Sequence, residues 1–231
     1  MTDDVSVECH NLRGIALVPM RGGSKGIPNK NVIDVLGKPL CFYSLDALVQ
    51  SDVLEKIVVS TDSDLIEETV EALDLGIEIY RRPPRLGGDS VSTEAVIRDF
   101  LEHYSADFIV LAQITSPLIT SENVKEVVHQ YKTNKFDSIV SVVRFKRFIW
   151  SEDAQPLNYS PLKRPRRQDF RGSLVENGAV YIFSPDGFLG SNSRLYGKIG
   201  LYEMSEENFI EVDEPVDLDF VRSQLLKRSC L

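Results

Sequence analysis

The run Gly14-Ile-Ala-Leu-Val-Pro-Met-Arg-Gly-Gly-Ser-Lys-Gly-Ile-Pro-Asn-Lys-Asn31 constrains this chain more than any other stretch. Ile15 to Val18 is the short apolar run a buried strand needs. It empties into a segment with three glycines, two prolines, one arginine and two lysines. Such a loop can hold a polyanion, because backbone N–H groups turn toward it while the cations neutralise it. The reading is a cradle for the phosphates of a nucleoside triphosphate, and a plain glycine-rich turn with solvated lysines is the alternative. The spacing fits neither G-x-x-x-x-G-K-[ST] nor G-x-G-x-x-G.

The rest of the chain sets the frame around that loop. Its 231 residues are enough for a sizeable core, and a single domain over 1–231 is the default. A formal net charge of −9 argues against a general nucleic-acid binder. Three cysteines (Cys9, Cys41, Cys230) without C-x-x-C spacing imply a reducing, cytoplasmic setting rather than a disulfide framework or zinc site. No apolar run approaches the roughly 18 residues of a membrane span. The acidic start, 1–12, reads as a frayed leader rather than a signal peptide.

Apolar runs alternate with helical patterns, which predicts an α/β fold with a largely parallel sheet. Strands are expected near Ile15–Pro19, Lys56–Ser60, Ile77–Tyr80, Asp107–Ala112, Asp137–Val143, Gly178–Phe183, Ile199–Met204 and Phe209–Val212. Helices are expected from Leu40, after Ser63, from Ser92 or Thr93, from a Ser121 cap, and from Pro215. Between Arg144 and Leu174 the chain is polar, basic and irregular, too long for a simple connection.

Four further constellations carry chemistry. Arg81 to Thr93 sets arginines and hydroxyls before a helix, where they suit a base or ribose. Gln113-Ile-Thr-Ser-Pro117 follows a strand, and its neutral donors and acceptors suit a polyhydroxylated sugar. Lys163-Arg-Pro-Arg-Arg-Gln-Asp-Phe170 is a basic run, usually a solvated face, which can also be a targeting signal. In Phe209-Ile-Glu-Val-Asp213, strand alternation would project Glu211 and Asp213 together, and two carboxylates can hold Mg²⁺, or Mn²⁺ in its place. Thr61-Asp-Ser-Asp64 also reads as the D-x-D of metal-dependent glycosyltransferases, and helix capping is its plainer role.

The whole string resembles the acylneuraminate cytidylyltransferases, the CMP-sialic acid synthetases. Their opening signature A-R-x-x-S-K-G-[IL]-P-x-K-N is met by Arg21, Ser24, Lys25, Gly26, Pro28, Lys30 and Asn31, with Met20 in place of the alanine. Arg82-Pro…Asp-Ser-Val-Ser-Thr93, Gln113-x-Thr-Ser-Pro117 and the Arg-Arg-Gln-Asp-Phe…Glu-Asn-Gly segment follow in order, and the last is similar to the animal-type enzyme. Glu211 departs from the family's D-[IV]-D, and Val175 stands where many bacterial relatives have an arginine.

The resemblance implies a three-layer α/β/α, Rossmann-like nucleotidyltransferase fold with an inserted dimerisation arm at 144–176. It implies transfer of CMP from CTP to a sialic acid-type nine-carbon sugar acid, with Mg²⁺. On it, Arg21, Lys25, Lys30 and Asp213 are the candidates for catalysis. Arg21, Gly22, Gly23, Ser24, Lys30, Asn31, Arg82, Ser92 and Thr93 are expected to bind nucleotide. Gln113, Thr115, Ser116, Arg167, Gln168, Asn177 and Tyr181 are expected to bind sugar, and Asp213 with Glu211 the metal. It also implies a homodimer or homotetramer, anchored in part by Phe148 and Trp150. Animal members often add a phosphatase-like domain, for which 231 residues leave no room. Two alternatives remain open at this point: a glycosyltransferase using Asp62 and Asp64, and a non-catalytic nucleotide-sugar binder.

Overall fold

The computed structural model describes residues 12–24 and 26–229. Lys25, Cys9, Cys230 and all of the expected leader except Leu12 therefore lie outside the described residues. Seven strands form the main sheet: β1 (Gly14–Met20), β4 (Lys56–Thr61), β5 (Glu78–Arg81), β6 (Phe108–Ala112), β7 (Ser138–Phe145), β8 (Ser173–Phe183) and β9 (Ile199–Met204). A small antiparallel hairpin, β2 (Asp34–Val35) and β3 (Lys38–Pro39), stands apart. The helices are α1 (Leu40–Ser51), α2 (Asp64–Ala72), α3 (Thr93–Leu101), α4 (Ser121–Thr133), α5 (Pro185–Ser191) and α6 (Pro215–Ser229).

The sheet order is β5-β4-β1-β6-β8-β7-β9, and only β8 runs antiparallel to its neighbours. Sequence alternation explains the layering. Ala16, Val18 and Met20 of β1 point into a core closed by α1, α2, α4 and α6. Ile15 and Leu17 point the other way, into a core closed by Ile97 and Phe100 of α3 and Phe188 of α5. Both faces are covered, so the central strands carry apolar residues at nearly every position. The fold is the expected three-layer α/β/α arrangement on a mostly parallel sheet. No helix among the described residues is long and apolar enough to cross a membrane.

Four local expectations are corrected. The cap of α4 is Thr120, not Ser121: Asn123 N–H donates to Thr120 Oγ1 at 3.2 Å and Thr120 N–H donates back to Asn123 Oδ1 at 3.1 Å. Phe209–Val212 forms no strand. Glu206–Phe209 is instead a 3₁₀ turn, because Asn177 Nδ2 holds the Asn208 carbonyl at 2.9 Å and Phe209 stacks on Phe145. These contacts carry the chain off the sheet edge toward Thr115, whose carbonyl accepts from Val212 N–H at 2.7 Å. The irregular insertion is shorter than 144–176, since Arg144 pairs with Leu174 and Phe145 with Ser173 in the β7–β8 ladder. Helix α5 was not expected; Ser184 caps it and Pro185 opens it, a legible start masked by Gly187 and Gly190 inside.

Candidate active site

The cleft lies where the chain turns from one side of β1 to the other. From β1 it steps outward through β4 to β5, then crosses to β6, so the carboxyl ends of β1 and β6 diverge. Open α/β sheets bind ligands at this switch point. Here it is a cavity of about 520 Å³, lined by the loop after β1, the loop after β5, the start of α3, the turn after β6 and the segment before α6.

Seven expected nucleotide or catalytic residues and two expected sugar residues line that cavity. Arg21, Ser24, Lys30, Asn31, Arg82, Thr93, Gln113, Thr115 and Asp213 line it. Lys30 Nζ donates to the Val212 carbonyl at 2.8 Å and to Asp213 Oδ1 at 2.9 Å. The buried Asn31 amide donates to the Arg21 carbonyl at 2.8 Å and fixes that loop from inside. Arg82 is 4% exposed, and its Nη2 donates to Asp62 Oδ1 at 2.9 Å. Two buried polar atoms on the cleft lining have no partner, Arg82 Nε and Thr115 Oγ1. A buried polar group left unpaired costs about 1–3 kcal/mol.

The other expected residues stand elsewhere. Gly22 lies behind the lining and donates its N–H to Asp62 Oδ1 at 3.2 Å, while Gly23 is exposed. Ser92 caps α3 through Ala95 N–H and faces a separate hollow. Ser116 is a buried turn residue whose hydroxyl donates to the Asn177 carbonyl. Asn177 is corrected from sugar binding to holding the fold: it is 1% exposed, accepts from Ser141 Oγ, and donates to Met204 Sδ and the Asn208 carbonyl. Both of its amide N–H donors are used inside the fold, and burial closes the side chain off from the cleft. Tyr181 is buried in the α3-side core, donates to Glu176, and lies under the Arg194 guanidinium. Arg167 and Gln168 sit on the insertion, away from this chain's own cleft; Gln168 lines a hollow beside Arg144 and Lys146.

Asp62 and Asp64 do not cap α2 with their carboxylates, and they do not offer a free D-x-D. Asp62 is paired with Arg82, and Asp64 with Arg81. The sequence reading also missed Asp89, which lines the cleft and pairs with Arg21 across it. Among the described residues no three of His, Cys, Asp and Glu converge as a preformed metal site.

Glu211 and Asp213 differ in setting. Asp213 is exposed at the cleft rim. Glu211 is half-buried, with its carboxylate packed against Gly178, whose φ of +67° and contact of 2.4 Å from an added Cβ to Glu211 Oε1 favour glycine. Burial, then the charges of Asp213 and Glu176, raise the Glu211 carboxyl above its ordinary 4.5, against the pull of Lys30. An acid raised in the folded state keeps its proton longer there than in the unfolded chain. Stability therefore falls as pH rises from the ordinary value to the folded one, and the whole deficit is present above it. Glu211→Gln is expected to melt higher than the parent at neutral pH in EDTA. The difference should vanish below about pH 4; thermal melts across pH 4–8 that run parallel would contradict this.

The comparisons with known proteins fit this geometry. The sequence profile of the family described as Cytidylyltransferase matches residues 15–222. The chain belongs to the cytidylyltransferase family. It is 36% identical over 220 residues to N-acylneuraminate cytidylyltransferase A of Danio rerio, covering 92% of this chain and 50% of the relative. It is 32% identical over 224 residues to N-acylneuraminate cytidylyltransferase of Streptococcus agalactiae serotype V, covering 93% of this chain and 54% of the relative. The chain thus spans about half the length of the curated relatives it matches. In fold it is similar to CMP:2-keto-3-deoxy-manno-octonic acid synthetase complexed with CTP, at a TM-score of 0.71, 18% identity, and coverage of 94% of this chain and 99% of that one. A second neighbour is 4-diphosphocytidyl-2C-methyl-D-erythritol synthase from Anaerococcus prevotii, at 0.64 and 14%, with coverage of 93% and 99%.

Proposed function

We propose that this cytidylyltransferase transfers CMP from CTP to the anomeric hydroxyl of a sialic acid-type 2-keto-3-deoxy nine-carbon sugar acid. The observation that carries the reading is the cleft at the switch point, with Arg21, Lys30 and Arg82 on one side and neutral donors at Gln113 and Thr115. The names of the relatives at 32–36% identity supply the acceptor class. The sugar hydroxyl attacks the α-phosphorus in line, the bond to the bridging β-oxygen breaks, and pyrophosphate leaves as the hydroxyl proton passes to solvent. Arg21 and Lys30 neutralise the triphosphate and hold the leaving group; Arg82, Asn31 and Thr93 orient the nucleoside. Catalysis of this kind rests on positioning and charge stabilisation.

The donor chemistry fits a hard divalent cation. Asp213 offers an exposed carboxylate at the rim, and such ions take one or two carboxylates plus substrate phosphates. Mg²⁺ or Mn²⁺ held there would neutralise charge developing on the pyrophosphate. Glu211 lies behind Asp213 against Gly178, with its carboxyl raised by burial and by the charge of Asp213, which leaves Asp213 as the main ligand. The pairing of Asp62 and Asp64 with arginines removes what favoured a glycosyltransferase.

The insertion supports self-association. Phe148 is not an exposed anchor, since it packs between Tyr159 and Phe170 under Arg164 as the insertion's own small core. Trp150, Leu157 and Leu162 are the exposed apolar residues, and they suit a homodimer in which Arg167 and Gln168 approach the partner's cleft. A monomer by light scattering at micromolar concentration would remove the dimer. A cytoplasmic setting rests on the number and spacing of the cysteines; Cys41 is a buried free thiol that burial pushes up to about 12.

The deciding experiment is pyrophosphate release with CTP and Mg²⁺ against a panel of nonulosonic acids (N-acetylneuraminate, its deaminated analogue, legionaminate) and a no-sugar control. Release that depends on one sugar is expected. CTP binding without release for any of them would favour a non-catalytic binder.

A further inference from the structure

We infer that Asp62 is the positioning residue that registers the triphosphate loop against the nucleoside loop. The inference rests on the CTP reading of the cleft. Asp62 follows β4, which lies beside β1 and β5 in the sheet, so one carboxylate at its end reaches the loops after both neighbours. Its Oδ1 accepts from Gly22 N–H of the loop after β1 at 3.2 Å and from Arg82 Nη2 of the loop after β5 at 2.9 Å. Its Oδ2 lies against the Cα of Gly87, where an added Cβ would stand 2.1 Å away. Arg82 of the cleft lining, and Gly22 and Gly87 in the two loops that supply other lining residues, therefore converge on one side chain that lines none of the cavity itself.

The chemistry of Arg82 explains why a carboxylate stands there. A guanidinium that is 4% exposed needs a compensating charge. Asp62 provides it through Nη2 alone and leaves Nε unpartnered. The pair anchors one end of the guanidinium, and so restrains the direction in which Nε points. The same carboxylate, by taking Gly22 N–H, ties the loop that carries Arg21 and Ser24 to that plane. Asp62 acts through these groups and touches no substrate.

Gly87 gives an independent handle. Its backbone is right-handed (φ −90°, ψ −9°), so alanine is compatible with the chain there, and the atoms an added methyl would meet belong to the Asp62 side chain. Gly87→Ala displaces the carboxylate without removing it, and Asp62→Asn removes its charge while keeping an acceptor for Gly22. CTP binding to each protein is measured by titration calorimetry, beside melting temperature and the KM-against-kcat split in the pyrophosphate assay. Parent protein that fails to bind CTP would sink the functional reading itself. With parent binding intact, both variants are expected to raise Kd and KM for CTP by about 10–100-fold, with kcat for saturated enzyme less affected, because the loss lies in registering the bound nucleotide. Folded variants that bind CTP as tightly as the parent would overturn the inference. So would a lowered melting temperature with unchanged CTP affinity in the folded fraction, which assigns Asp62 to stability alone.

Discussion

Lys30→Ala is expected to lower kcat/KM for CTP by about 10²–10³, the scale set by losing one charged donor worth roughly 3–4 kcal/mol in a partly desolvated site. Lys30 is among the most enclosed cations of the cleft, with its side chain 14% exposed. Its ammonium bridges the Val212 carbonyl and Asp213 Oδ1, so it sets both the backbone and the carboxylate of the segment before α6. Removing it frees Asp213 and takes away the cationic pull that lowers the raised Glu211 carboxyl. Lys30→Arg keeps the charge but not the compact three-donor geometry, and should fall between parent and alanine. Pyrophosphate release over a CTP series measures this. A loss under tenfold would show that Lys30 serves the segment before α6 rather than the triphosphate.

The sequence made much of this site legible because its parts are local. Arg21, Arg82, Gln113 and Thr115 stand just after a strand, Thr93 opens a helix, and Lys30 and Asn31 close the same loop that Arg21 begins, so a parallel sheet gathers them at one end. What stayed hidden depends on contacts remote in the chain. Asp62 reads as a helix-start residue until Gly22, 40 positions away, is seen to donate to it. Asp89 reads as loop until it meets Arg21 at a separation of 68. The same cause misdirected Asn177, whose short polar motif looks available for a sugar while its amide is taken up by Ser141, Met204 and Asn208. Phe209 to Val212 has the alternation of a strand, but the sheet already ends at β9 and tertiary contacts turn the segment over its top.

Arg82→Ala separates what the Arg82–Asp62 pair does for the fold from what it does for the nucleotide. Alanine leaves Asp62, with its side chain 18% exposed, without its cation. Breaking a buried pair from one side costs about 3–5 kcal/mol, and the residual exposure of Asp62 places this case at the lower end. Arg82→Ala should therefore show a clear fall in unfolding midpoint and lose CTP affinity by about 10²-fold or more, since both Nη2 and Nε go. Arg82→Lys keeps a positive charge near Asp62 and should recover most of the stability. It cannot donate to Asp62 and to a cleft acceptor along two fixed directions, so CTP affinity should stay low. The double variant Asp62→Ala/Arg82→Ala removes both charges. It should unfold later than Arg82→Ala alone, because no uncompensated charge is left, and yet bind CTP no better. Denaturant melts and CTP titrations on the four proteins check each step. If the double variant regained CTP affinity together with stability, the guanidinium would be a structural ion and the unpartnered Nε would have no ligand to meet.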